Sequence, residues 1–254
     1  MNYLFEKKSV LVTGSGSGIG RFTALAFAKE GANIIVSDIN EASGQETVDL
    51  IKKEGREAVF IKCNVADAEE VKKLMEDSIS HYGTLDVAVN NAGIGGGWHR
   101  MADYPLEEYR KVIAINQDGV FYCMKYQIQQ MLKQENGGAI VNISSIAGLK
   151  GLANSSPYSA SKHAVIGLTK AAAVEYARNN IRINAVCPVF TRTPLFDKMF
   201  EINPAYEEKL KLNIPMKRYG QPHEIAEAIL WLCCEKAGFI TGQALSVDGG
   251  MTAQ

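Results

Sequence analysis

The 254-residue chain lacks an excess of either charge: 27 Lys and Arg stand against 28 Asp and Glu, for a formal net charge of −1. Proteins that grip nucleic acid or an anionic membrane surface through phosphates carry a basic excess or a basic cluster. Here Lys/Arg runs stop at pairs such as Lys7-Lys8, Lys52-Lys53 and Lys72-Lys73, so neither partner is expected. No window approaches the ~18–20 unbroken apolar residues of a membrane-spanning helix. Residues 1–8 lack the basic-then-apolar pattern of a secretory signal, and a soluble, cytoplasmic protein is expected. Cys63, Cys123, Cys187, Cys233 and Cys234 form an odd set without Cys-x-x-Cys, which suits buried, reduced thiols better than a disulfide framework. His81, His99, His163 and His223 have no metal-ligand spacing, and no metal is expected. Internal repeats, low-complexity tracts and Pro/Ser linkers are also missing, so nothing divides the chain.

What is present is alternation. With 46% hydrophobic and 22% charged residues the composition is that of a globular protein, and a chain of this length buries roughly 70–75% of its unfolded surface. Short β-branched runs near 9–13, 33–37, 58–62, 85–90, 139–143, 182–186 and 245–247 alternate with helical patterns near 19–30, 41–54, 67–81, 106–133, 157–179 and 222–234. Several runs are apolar on consecutive residues, as strands covered on both faces are. The pattern predicts an α/β fold, doubly wound, over a single domain spanning 1–254. Two stretches interrupt it: the glycine-rich 93–99, and 188–215, which is rich in Pro and aromatic residues. Both follow predicted strands, where ligands of open parallel sheets bind, and 188–215 is read as a substrate-loop region.

Three groups of residues carry chemistry. Thr13-Gly14-Ser15-Gly16-Ser17-Gly18-Ile19-Gly20 follows the first strand and opens a helix, so backbone N–H groups and the positive end of a helix dipole are available to a phosphate. Asp38 closes the second strand, where a carboxylate accepts hydrogen bonds from the adenosine ribose of NAD and repels a 2′-phosphate. Ser17 puts no basic group beside the turn. Tyr158 and Lys162 are four residues apart at the start of a helix after Pro157, on one face. A phenol with an ordinary pKa near ~10 becomes a usable acid or base when a neighbouring cation favours its phenolate. The spacing alone is weak, since Tyr3 and Lys7 share it.

Taken in order, Thr13-Gly-x-x-x-Gly-Ile-Gly20, Asn90-Asn91-Ala92-Gly93, Asn116, Ser144, Tyr158-x-x-x-Lys162 and Ser246-Val-Asp-Gly-Gly250 resemble the short-chain dehydrogenase/reductase family over almost the whole chain. The resemblance implies a Rossmann-like fold with a seven-stranded parallel sheet, helices on both faces, and a catalytic set of Asn116, Ser144, Tyr158 and Lys162. It implies that Tyr158 moves a proton to or from the substrate oxygen while hydride passes between substrate and nicotinamide, and that Ser144 holds that oxygen. Lys162 would bind the nicotinamide ribose and lower the Tyr158 pKa, and Asn116 would position a water. The implied cofactor contacts are Gly14, Ser17, Gly18, Ile19, Gly20, Asp38, Asn64, Val65, Asn91, Tyr158, Lys162, Pro188, Thr191 and Thr193, with NAD as cofactor.

Two departures from the family pattern stand out. Asn64 replaces the usual Asp before Val65, leaving a carbonyl as the acceptor for the adenine amino group. Val189 replaces the Gly that usually follows Pro188; because Val resists positive φ, the loop path cannot be copied from relatives. Ile94, Trp98, Ser144, Leu152, Tyr158, Phe190, Leu195 and Phe196 are the candidate substrate contacts, with Met199 nearby. They imply a secondary alcohol or ketone of moderately apolar, cyclic character. A 3-oxoacyl-carrier-protein reductase is the alternative within the fold, opposed by Asp38, since such relatives usually take NADPH. A nucleotide-binding sensor or scaffold without turnover is the alternative outside enzymology. The helices near 112–132 and 157–179 are apolar nearly all round, which predicts a homo-oligomer, tetrameric or dimeric.

Overall fold

The computed structural model describes residues 4–193 and 210–253. Strands β1 (Ser9–Thr13), β2 (Asn33–Asp38), β3 (Ala58–Lys62), β4 (Val87–Asn90), β5 (Gly138–Ile143), β6 (Ile181–Pro188) and β7 (Ala244–Val247) form one seven-stranded sheet in the order β3-β2-β1-β4-β5-β6-β7. Every pairing is parallel. Parallel neighbours need crossovers, which helices α1 (Gly18–Lys29), α2 (Glu41–Lys53), α3 (Ala68–Tyr82), α4 (Leu106–Ile113), α5 (Gly119–Met131), α6 (Ser156–Tyr176) and α7 (Pro222–Cys233) supply.

Successive strand residues point to opposite faces, and the core divides accordingly. Val10, Val12, Ile34, Val36 and Val141 pack with Phe27 of α1 and Ile225 and Ile229 of α7. Leu11, Ile35, Ala88, Ile140 and Ile183 pack with Leu74 of α3, Met124 of α5 and Val165 of α6. The consecutive apolar residues that predicted two-sided burial are thus shared between two cores. The five cysteines are buried and unbridged.

The predicted helix near 106–133 is broken in the middle. A π turn at Ala114–Asp118 separates α4 from α5, and single π turns inside helices are frequent at functional sites. It carries the fully buried Asn116.

Strand order reverses between β1 and β4, where a ligand-binding crevice opens at the strands' carboxyl ends. A buried polar network fixes the ground beneath it. Asn90 and Gln127 exchange both amide hydrogen bonds, at 3.0 and 2.7 Å. The Asn90 amide also donates to Asn142 Oδ1 (2.8 Å), and the Asn142 amide donates to Thr169 Oγ1 (2.9 Å). Each amide is satisfied, so the network offsets its own desolvation and fixes β4, β5, α5 and α6 in one register.

Candidate active site

The loop after β1 is shaped by what approaches it. Gly14 has φ +63°, and a Cβ on Gly20 would lie 2.3 Å from the Gly14 carbonyl oxygen, so only glycine lets α1 start this close to the turn. The Asn91 amide donates to the Thr13 and Gly14 carbonyls, both at 2.9 Å. Asn91, an expected cofactor contact, thus spends its side-chain N–H groups on the turn, which it braces from the end of β4. Ser17 caps α1 without a side-chain hydrogen bond, and the first turn carries no acidic residue. The opening N–H groups of α1, at Gly18, Ile19 and Gly20, therefore face a site with neither a cap nor a competing carboxylate, which suits a pyrophosphate.

Asp38 ends β2 beside this turn. Its Oδ2 accepts the Gly16 N–H at 2.8 Å and its Oδ1 accepts the Asn40 N–H at 2.9 Å. A Cβ on Gly16 would lie 2.8 Å from both Asp38 Oδ2 and Ser43 Oγ, so the missing side chain leaves a cradle lined by acceptors. Asn64 spends one lone pair of its side-chain carbonyl on the Ala66 N–H (3.2 Å), while its own N–H donates to Glu70 (2.7 Å). Val65 is buried against α5.

Asn116, expected to position a water, has its side chain bound to the loop after β4. Its Oδ1 accepts the Ile94 N–H and its Nδ2 donates to the Ile94 carbonyl, both at 2.8 Å, so the side chain pairs with the loop main chain as a strand would. The loop continues through Gly97, whose N–H donates to Glu108 (3.1 Å) and whose carbonyl accepts from Tyr104 Oη (3.0 Å). The His99 N–H then donates to the Asn154 carbonyl at 3.0 Å, and the Leu152 N–H donates to Ser159 Oγ at 3.2 Å, one residue past Tyr158. Ile94, Trp98 and Leu152 thus belong to two loops tied to each other and to α6, and Trp98 is exposed.

Two serines end β5, and their hydroxyls do different things. Ser144 Oγ donates to the Lys162 carbonyl at 2.9 Å, so its only proton is committed to the body of α6. Ser145 Oγ accepts the Ala147 N–H at 3.1 Å, which leaves its own O–H available as a donor. It is Ser145 whose side chain interacts with the Tyr158 phenol. Of the two, it is Ser145, not the expected Ser144, that the structure brings to the phenol, and the motif reading missed it.

Lys162 is buried, its Nζ donating to the Ile143 carbonyl at 2.8 Å and standing 5.6 Å over the Tyr158 ring. Burial lowers its pKa to about 8, and the nearby Cys187 thiol works weakly the other way. Burial raises the pKa of Tyr158, opposed by the Ser145 hydrogen bond. The ammonium sits over the face of the ring and is itself desolvated, so it does not offset the cost of burying a phenolate.

Pro188 closes the β6 ladder opposite Val247. Val189, the substitution that clouded the loop path, keeps a negative φ, donates its N–H to the Val247 carbonyl at 3.3 Å and packs with Ile146, Ile214 and Tyr219, with Phe190 partly buried alongside. Thr191 turns its hydroxyl onto the Val189 carbonyl at 2.7 Å. Its bridge to Gly220 brings the chain back to the sheet edge, and Thr193 is half-buried. Leu195, Phe196 and Met199, along with most of 188–215, lie outside the described residues.

Residues 14–252 match the family model described as enoyl-(acyl carrier protein) reductase. A cyclohexanol dehydrogenase of Acinetobacter sp. (strain SE19) is 44% identical over 254 residues, covering 100% of this chain and 98% of the relative. The chain belongs to the short-chain dehydrogenase/reductase family. Another member, the 2,5-dichloro-2,5-cyclohexadiene-1,4-diol dehydrogenase of Sphingobium indicum, is 40% identical over 246 residues, 97% of each chain. The crystal structure of levodione reductase matches with a TM-score of 0.95 at 33% identity, over 98% of this chain and 99% of that one. This chain is a short-chain dehydrogenase/reductase oxidoreductase, in a family that uses nicotinamide cofactors. Among the described residues no helix is long and apolar enough to cross a membrane.

Proposed function

We propose that the protein is an NAD(H)-dependent enzyme that interconverts a cyclic, moderately apolar secondary alcohol and its ketone, with the chain 1–254 acting as one domain. The observation that carries this reading is the Tyr158 phenol between the Ser145 hydroxyl and the Lys162 ammonium, at the end of the sheet that also presents the Asp38-lined turn. When bound, the cofactor supplies hydride exchange at its nicotinamide ring. The residues of this chain do the rest. Tyr158 gives or takes the proton at the substrate oxygen, and Ser145 donates a hydrogen bond to that oxygen. Lys162 holds the nicotinamide ribose, and Asn116 fixes the loop at Ile94 that walls the site. The start of α1 holds the pyrophosphate and Asp38 the adenosine ribose, with Asn64 and Val65 near the adenine. Pro188, Thr191 and Thr193 flank the carboxamide.

Cyclic substrates are supported by two relatives, a cyclohexanol dehydrogenase and a 2,5-dichloro-2,5-cyclohexadiene-1,4-diol dehydrogenase, and by the apolar Ile94, Trp98 and Leu152 on the tied loops. Exposed apolar side chains on α4, α5 and α6 (Leu106, Tyr109, Phe121 and Val174) and near β7 (Trp231 and Phe239) support a homo-oligomer, a tetramer before a dimer. Five unbridged thiols suit a reducing, cytoplasmic setting.

Initial rates with NAD and NADP against cyclic secondary alcohols, small hydroxy acids and sugars test the reading. NAD is expected to exceed NADP in kcat/KM by about a hundredfold, because NADP would set its 2′-phosphate against a carboxylate, and cyclic alcohols are expected to lead the panel. A preference for NADP, or hydroxy acids or sugars turning over best, contradicts it.

A further inference from the structure

Asp38 is one charge at the adenosine end of the site, and two more stand just behind it. Arg21 lies in the first turns of α1, and its guanidinium folds back across the glycine turn. Nε donates to Thr47 Oγ1 at 3.0 Å. Nη2 donates to the Gly16 carbonyl, to the Ser43 carbonyl at 3.3 Å and to Glu46 Oε2 at 2.6 Å. Thr47 Oγ1 in turn donates to the Ser15 carbonyl at 2.9 Å. Gly16 is therefore held from both sides, its N–H by Asp38 and its C=O by Arg21. The first turns of α2 supply the remaining partners.

A guanidinium beside a glycine turn is the group that would greet a phosphate on the adenosine ribose, since it matches phosphate in geometry and is always charged. Here it is occupied. Glu46 neutralises it, three other acceptors (Thr47 Oγ1 and the Gly16 and Ser43 carbonyls) hold it in place, and its side chain is only 20% exposed whereas that of Glu46 is 61% exposed. With Asp38 and Glu46 against Arg21, the cluster carries one net negative charge. Without Glu46 it would be neutral, and the guanidinium would have lost its charged partner.

We propose that Glu46 is a cofactor-specificity residue: by pairing with Arg21 it withholds that guanidinium from a 2′-phosphate and so enforces, together with Asp38, selection of NAD over NADP. The inference rests on the NAD reading given above. It makes Glu46 a residue that acts through Arg21 and not by touching cofactor.

Equilibrium fluorescence titration with NADH and NADPH, which needs no turnover, tests it. In Glu46→Gln, with shape kept and charge removed, the affinity for NADPH relative to NADH is expected to rise about tenfold, as for one weakly screened charge freed to face a phosphate. In Arg21→Gln/Glu46→Gln the gain is expected to vanish, because the cation that produces it is gone. An unchanged ratio in Glu46→Gln, or equal loss of both ligands, would reduce the pair to a structural brace and overturn the proposal. So would a gain that persists in the double variant, since it would then be only the removal of a distant negative charge. The NAD reading fails separately, if the unaltered protein binds NADPH more tightly than NADH.

Discussion

Tyr158→Phe is expected to lower kcat by about 10²–10⁴-fold, the range removed with a positioned acid or base, while NADH still binds. The variant takes away one oxygen and its proton and leaves the ring on which Lys162 rests at 5.6 Å. Two observations make the loss large. The phenol is the side chain that both Ser145 and Lys162 approach, which places it as the group that exchanges the proton. Burial also raises its pKa, so the neutral form dominates and serves directly as acid in ketone reduction. In alcohol oxidation the base form is the minority, and the rate of the unaltered enzyme is expected to rise with pH as that fraction grows. Both the turnover and this pH dependence are expected to disappear together in Tyr158→Phe. Measured kcat within about tenfold of the unaltered enzyme would refute the acid/base role.

The second large effect separates two adjacent serines. Ser145→Ala removes a side-chain hydrogen-bond partner of the phenol and, on this account, the donor to the substrate oxygen. A fall in kcat of about 10²–10³-fold is expected, as for loss of one preorganised donor to a developing oxyanion. Ser144→Ala removes a hydroxyl that is already donated to the Lys162 carbonyl, inside a contact so close that a Cβ on Gly148 would lie 2.4 Å from Ser144 Oγ. Its cost is expected in stability, about 1 kcal/mol for one buried hydrogen bond, with a much smaller change in kcat. Steady-state kinetics and urea denaturation on both variants decide it. The reverse pattern, with Ser144 controlling kcat and Ser145 not, would return the role to Ser144.

Why the sequence pointed to Ser144, and not to the serine beside the phenol, is a matter of parity. Neighbours in an extended chain face opposite ways, and nothing in Asn142-Ile143-Ser144-Ser145 says where β5 stops alternating and the turn at Ile146–Gly148 begins. A local signal was available: Ser145 followed two residues later by Ala147 is a serine capping a short helical turn, which keeps its O–H free. The π turn at Asn116 was not legible, and which partner a buried amide finds depends on the loop opposite, here Ile94, across a distance in sequence that no spacing rule covers. The seven strands and the crevice at the end of β1 were legible because each depends on local pattern: two-sided apolar runs, and glycines where α1 meets its turn.

The central claim is that hydride leaves the carbinol carbon of a cyclic secondary alcohol for the nicotinamide of NAD, with Tyr158 taking the hydroxyl proton. The direct measurement uses such an alcohol deuterated at that carbon, with NAD and the unaltered enzyme, followed by mass analysis of the nucleotide and the ketone formed. One deuterium in each NADH and none in the ketone at that carbon is the predicted result. Ketone formed without deuterium in the nucleotide, or no oxidation of any cyclic secondary alcohol tried, would contradict the account.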